Sequence, residues 1–153
     1  MTDGDKRELA ALHWSRARET FYDACLVLEG GGSGRSVVNR AYYASLYAVS
    51  ALLEVETLAA RSHARAITLF DVAFVKTGRI EKQVSKSLHA LFEKRLEDDY
   101  TQLGSVSKEE AADAIAMARI VLDAIHATLS GSVKDLPELG DGTAPAGGEF
   151  RGG

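Results

Sequence analysis

Both prolines of this 153-residue chain, Pro137 and Pro145, lie in its last 23 residues, together with seven of its fourteen glycines. A proline inside a helix removes one hydrogen bond and clashes with the preceding turn, at a cost of about 3 kcal/mol. Before Gly131 the chain has no proline, so nothing of that kind interrupts a long helix there. The proline- and glycine-rich end has the opposite character. This split predicts a helical body over residues 1–131 and a flexible tail over 132–153 that stands outside the fold.

Apolar periodicity divides the body into five helices. The first runs from about Leu9 to Glu29, with Ala10, Trp14, Ala17, Phe21, Ala24 and Leu28 on one stripe. Gly30-Gly-Gly-Ser-Gly34 breaks it. That run follows a helix rather than a strand and lacks a Gly-Lys-Ser/Thr ending, so it reads as a connector and not as a phosphate loop. A second helix, from Ser36 to about Leu58, carries Val38, Ala41, Tyr42, Ser45, Val49 and Leu52 on one face. Asn39, Tyr43, Tyr47 and Ser50 follow helical spacing on an adjacent face. A third, from Ser62 to Thr77, buries Ile67, Phe70 and Phe74 and stops at Gly78. The fourth extends from Ile80 to about Leu103 through Val84, Leu88, Leu91 and Phe92. Ser107 and Glu110 form a capping box that opens the fifth, which carries Ile115, Ala118, Leu122, Ile125 and Leu129. No segment alternates like a strand. Short loops between such helices predict an all-α, four- to five-helix up-and-down bundle.

A chain of this length buries a sufficient core as one domain. The single Cys25 excludes an internal disulfide and a cysteine zinc site, and its place near the first helix's stripe reads as a buried thiol. No apolar run approaches the ~20 residues of a membrane span, and Met-Thr-Asp-Gly-Asp-Lys lacks a signal peptide's apolar region. These features predict a cytoplasmic protein with no membrane association. The four histidines, at 13, 63, 89 and 126, never take the spacing that puts two ligands on one helical face, so no metal site is expected. Nothing calls for a cofactor, and no serine elbow or kinase signature is present.

Two polar runs remain. Arg95-Leu-Glu-Asp-Asp-Tyr100 sets a permanent cation, three carboxylates and a phenol within six residues. Asn39-Arg-Ala-Tyr-Tyr-Ala-Ser-Leu-Tyr47 is the second, and its tyrosines read equally as core or interface residues whose hydroxyls find one partner. The first run reads either as a solvated helix end with a salt bridge or as half of a polar site. Net charge is −4, but residues 61–95 hold eight Lys/Arg against three acids, and 97–123 hold seven acids against two bases. Such blocks are solvated helix faces, a phosphate-binding face, or a two-signed face for self-association.

The order of Asn39-Arg-Ala-Tyr-Tyr-Ala44, then Ser62-His63, then Phe74-Val-Lys-Thr-Gly78, then Arg95-x-x-x-Asp-Tyr100 resembles the HEPN superfamily, and within it the UPF0332 branch. The resemblance covers about residues 8–129. It implies a four- or five-helix bundle that dimerises. It further implies a metal-independent action on RNA, as the toxin of a toxin–antitoxin or defence-type module with a minimal nucleotidyltransferase as its antitoxin. The superfamily's signature is an arginine followed, after four to six residues, by a histidine. On that correspondence Arg95 is the phosphate cation, Tyr100 stands at the histidine position and Asp99 lends polar support. Asn39, Arg40, His63 and Lys94 are further candidates for holding RNA or a nucleotide.

The chain departs from the signature, because no histidine lies between Arg95 and His126. Metal-free RNA cleavage needs a base for the 2′-hydroxyl, a donor to the leaving oxygen and a cation for the phosphate. Arg95 supplies the cation. A phenol with a pKa near ~10 is a poor base at neutral pH. The resemblance therefore leaves a second expectation open, a non-catalytic nucleotide- or partner-binding subunit of a nucleotidyltransferase complex. In some HEPN–nucleotidyltransferase pairs the partner neutralises the HEPN protein by adding AMP to a tyrosine beside the motif. That resemblance makes Tyr100 the candidate AMP acceptor, where a phosphodiester charge would pair with Arg95.

Overall fold

The computed structural model describes residues 2–100 and 105–142, without the side chains of residues 97–100. Helix α1 spans Asp3–Glu29 and starts earlier than its apolar stripe. Thr2 and Asp5 form a reciprocal cap, each side chain accepting from the other's backbone N–H at 3.1 Å. This local bonding extends the helix one and a half turns beyond what periodicity alone predicts. Ala10, Trp14, Ala17, Phe21 and Ala24 are buried along it, at the expected three- and four-residue steps.

Helix α2 (Gly34–Val55) begins after the cap of Ser33, which accepts from Ser36 N–H. Twelve of its residues are buried, and it packs on every other helix of the bundle. Alanines at 41, 44, 48 and 51 admit neighbouring backbones on more than one side. Gly34 is more than a connector. A Cβ there would lie 2.5 Å from the carbonyl oxygen of Val106, so α2 starts in direct contact with the segment leading into the last helix.

Helix α3 spans His63–Phe70 and passes into a wider π turn over Asp71–Val75, where Lys76 N–H donates to Asp71 O at 2.8 Å. Phe70 and Phe74 are both buried, as their spacing predicts, with ring centroids 6.0 Å apart. Gly78, at φ +80°, turns the chain towards α4, and Ile80 N–H closes the turn on Phe74 O. Helix α4 runs Lys82–Tyr100 and buries Val84, Leu88 and Leu91. Ser107 and Glu110 form the expected capping box of α5, Lys108–Leu129. The described residues thus make an all-α bundle of five helices, as anticipated, with no strand. Among them, no helix is long and apolar enough to cross a membrane.

The boundary expected at residue 131 is not where packing stops. Val133, Leu136 and Leu139 are buried against the bundle. Trp14 Nε1 donates to Pro137 O at 2.7 Å, His126 Nε2 donates to Leu136 O at 2.9 Å, and Arg119 donates to Gly140 O at 2.7 Å. A turning strap with apolar residues at 133, 136 and 139 meets a groove whose donors take its carbonyls, so residues 132–142 belong to the fold. Residues 143–153 lie outside the described residues.

Candidate functional site

Helical spacing puts Tyr43 and Tyr47 on one flank of α2, beside the fully buried Tyr42. Ser62 caps α3 by accepting from Arg65 N–H at 3.1 Å, and this start places His63 at the first helical position. The imidazole centroid there is 5.6 Å from that of Tyr43, edge to face, and 6.0 Å from that of Tyr42. Arg95 arrives from α4. Its Nη2 donates to the Tyr43 hydroxyl at 3.2 Å, and its guanidinium carbon lies 5.3 Å from the ring centroid of Tyr42 and of Tyr43 alike. Phe92, nearly one turn earlier, packs on Tyr42 at 6.0 Å. A permanent cation is thus held on two aromatic faces with an imidazole alongside.

Burial sets the proton affinities here. It pushes the Tyr42 phenol up to about 12, against the pull of Arg95 and with a smaller push from Tyr43. The Tyr42 hydroxyl has no hydrogen-bond partner among the described residues. His63 is held below its ordinary 6.5, first by desolvation and then by the charge of Arg95. Its neutral form therefore prevails at pH 7, so it can accept a proton while Arg95 stays charged.

Next to this cluster opens a cleft of about 490 Å³, walled by Tyr43 and Tyr47 of α2, His63, the 58–62 loop and His13 of α1. Arg16 lies over the Tyr47 ring, 5.5 Å from its centroid. Burial lowers the pKa of His13, with Glu54 opposing and Arg16 reinforcing the shift. The loop leaves α2 through Thr57 at φ 59°, an unfavourable conformation for a β-branched residue, and Lys6 Nζ donates to its hydroxyl at 2.7 Å. Strain of this kind persists where the surrounding structure holds the chain in a required path.

Of the residues singled out from sequence, Arg95 and His63 come together, with Tyr43 as their shared contact. Asn39 is half-buried one turn before Tyr43, and Arg40 is exposed. Neither makes a hydrogen bond or ion pair among the described residues. The Lys94 ammonium is paired with Glu110 at 2.8 Å, at the start of α5. The side chains of Asp99 and Tyr100 lie outside the described residues. Among the other bases of residues 61–86, Arg61, Arg65, Lys82 and Lys86 are exposed and form no ion pair among the described residues, whereas Arg79 is bonded to Glu56 at 2.7 Å.

Two features escape sequence reasoning. His13 and Arg16 sit three residues apart on the polar side of α1, and only that spacing hints at a shared face. Asp71 accepts from Ser85 at 2.7 Å and meets His89 Nε2 at 2.6 Å. The four-residue spacing of Ser85 and His89 is the available signal. With the carboxylate rather than the imidazole in the centre, these three do not make a proton relay to serine; they tie the π turn to α4. Among the described residues, no group of three or more His, Cys, Asp or Glu side chains is placed to hold a metal ion.

The HEPN domain family model matches residues 10–128. A UPF0332 protein of Thermotoga maritima is 38% identical over 123 residues, which are 80% of this chain and 92% of that protein. A Methanocaldococcus jannaschii protein named "Putative toxin MJ0605" is 34% identical over 95 residues, 62% of this chain and 70% of its own. A UPF0332 protein of Pyrococcus horikoshii is 34% identical over 93 residues, 60% of this chain and 65% of its own.

Proposed function

This chain belongs to the HEPN domain family, and on that premise we propose that it is the RNA-directed component of a toxin–antitoxin-type module. In this reading RNA is bound without metal at a site that two copies of the chain share. The observation that carries it is the Arg95 guanidinium set on the Tyr42 and Tyr43 rings beside a neutral His63. A guanidinium keeps its charge at any physiological pH and matches the geometry of phosphate oxygens. Exposed Arg61 and Arg65, two residues either side of His63, add positive charge to that part of the surface. Two relatives whose names call them putative toxins agree with the biological setting.

The chemistry needs these groups and a solvent proton for the leaving oxygen. His63 removes the proton from a 2′-hydroxyl, the 2′-oxygen forms a bond to phosphorus, and the bond to the 5′-oxygen breaks. Arg95 balances the charge that gathers on the phosphate oxygens. The 5′-oxygen leaves with a proton from solvent, giving a 2′,3′-cyclic phosphate and a 5′-hydroxyl end.

The test is RNA binding and cleavage in EDTA, for wild type, Arg95→Ala and His63→Ala together. Binding of a single-stranded oligomer should weaken steeply with salt, and Arg95→Ala should reduce both the affinity and the salt slope. Cleavage ends should be cyclic phosphates, and His63→Ala should lose cleavage while retaining binding. An Arg95→Ala protein with unchanged affinity and slope refutes the reading. Sedimentation at micromolar concentration should give twice the monomer mass.

The lack of any histidine between Arg95 and His126 favours a second reading, a non-catalytic subunit that binds a minimal nucleotidyltransferase. Wild type that binds RNA tightly yet cleaves none would select it. Under either reading Tyr100 is the side chain to examine for an AMP adduct after co-expression with a nucleotidyltransferase partner.

A further inference from the structure

The cleft beside Arg95 differs in character from the phosphate site. Its floor is apolar, from Leu46, Leu53 and Ala66, and Tyr47 stands at its wall. Its volume of about 490 Å³ falls in the range of small-molecule sites, about 300–1,000 Å³. Glu54, on the same face of α2, also lines it, and that carboxylate makes no hydrogen bond or ion pair among the described residues. Its charge acts on His13 in the same cleft, opposing the lowering of that imidazole's pKa by burial. A carboxylate is an acceptor only, and it is satisfied by a ligand with two adjacent N–H donors.

Across the same cleft stands His13, whose neutral imidazole offers one donor and one acceptor. A flat aromatic ligand with two neighbouring donors and an acceptor next to them fits an aromatic wall, a carboxylate and an imidazole. Among the RNA bases only guanine presents that edge: N1–H and the N2 amino group are adjacent donors, and O6 is the acceptor. Adenine and cytosine each present one donor group beside a ring acceptor, and uracil presents a single N–H between two carbonyls.

We propose that this cleft is a guanine-binding subsite, in which the base lies against Tyr47, its N1–H and N2 amino group donate to Glu54, and O6 accepts from His13. The Tyr43 and His63 walls shared with the Arg95 cluster set the phosphate of that same nucleotide towards the guanidinium. Thr57 holds the closing loop in its strained path, so the cleft is already formed in the free protein. Stacking a base on an aromatic side chain tolerates every base, because each has a π face. Discrimination therefore rests on Glu54. The proposal rests on the RNA-directed reading for its biological setting, but a mononucleotide tests it directly.

The experiment titrates the full-length protein with 5′-GMP, 5′-AMP and 5′-UMP, by calorimetry and by NMR of the His13 and Tyr47 ring protons. GMP should bind at least tenfold more tightly than AMP or UMP and shift both rings. Glu54→Gln, nearly isosteric and half-exposed, should abolish the GMP preference by weakening GMP about tenfold while leaving UMP unchanged. Tyr47→Leu keeps apolar volume and should weaken all three nucleotides. Arg95→Ala should lower the affinities for all three about equally and keep the GMP preference. Equal affinities for the three nucleotides in wild type, or a GMP preference that survives Glu54→Gln, overturn the subsite. An RNA oligomer that binds with Arg95 dependence but without preference for guanine also overturns it, and leaves the RNA-directed reading standing. Selective GMP binding with no RNA affinity supports the subsite and removes that reading instead.

Discussion

Tyr42 and Tyr43 are neighbours in sequence, yet deletion of their hydroxyls should change stability in opposite directions. Tyr42 is fully buried and its hydroxyl has no partner among the described residues. Leaving a buried donor unsatisfied costs about 1–3 kcal/mol. Tyr42→Phe removes that cost while keeping the ring that contacts Arg95, Phe92 and His63. We expect a gain near the lower limit, about 1 kcal/mol. The Tyr43 hydroxyl accepts from Arg95 at 3.2 Å, and the residue is only half-buried. A hydrogen bond to a charged group is worth about 1.5–3 kcal/mol when well made and less where water competes, so Tyr43→Phe should lose about 1 kcal/mol. The two variants should then differ by about 2 kcal/mol. For a chain of this length each change corresponds to about 2–4 °C in Tm. Urea titrations followed by circular dichroism give the same comparison through the midpoint, provided the slope is unchanged. A Tyr42→Phe protein less stable than wild type by 1 kcal/mol or more would refute the reasoning, because its hydroxyl would then be bonded.

Two further outcomes follow from the same geometry. Leu136 is buried on the bundle by the strap after α5, so Leu136→Ala should cost about 2 kcal/mol in urea titration, the low end for a core leucine; a change under about 0.5 kcal/mol would mean the strap is undocked in solution. Because burial and Arg95 both depress His63, its folded pKa lies below the ordinary 6.5. The folded state then resists protonation, so its contribution to stability is full above 6.5 and is lost as pH falls through the lowered value. Cleavage that uses His63 as base should persist just below pH 6.5 and fail as pH falls through the lowered value. NMR titration of the His63 ring should move upward in Arg95→Ala, and an unmoved pKa would disconnect the two residues.

Whatever depends on residues within one or two turns is legible in short stretches of the chain. The Trp14–Phe21–Ala24 stripe, the paired burial of Phe70 and Phe74, and the Ser107–Glu110 cap are each written in spacing, because a helix repeats every 3.6 residues. Charge, prolines and glycines mark the body in the same local way. The start of α1 at Asp3 is equally local, in Thr2 and Asp5, but polar rather than apolar, so periodicity passes over it. The strap at 132–142 escapes a sequence reading for a different reason. Val133, Leu136 and Leu139 have no helical or strand repeat to declare them, and Trp14 Nε1 and Pro137 O meet across 123 residues of sequence.

The mutual placement of the site residues belongs to that second category. Arg95 and Tyr43 are 52 residues apart. Ser62-His63 is legible as a motif, but only the packing of α3 against α2 sets His63 beside Arg95. His13 and Glu54 lie on different helices, and they face one cleft because α1 runs along α2. Local backbone bonding makes the helices, so their existence can be read from short windows. Which polar flanks face one another depends on how several apolar stripes are satisfied together, and no window of the sequence contains that information.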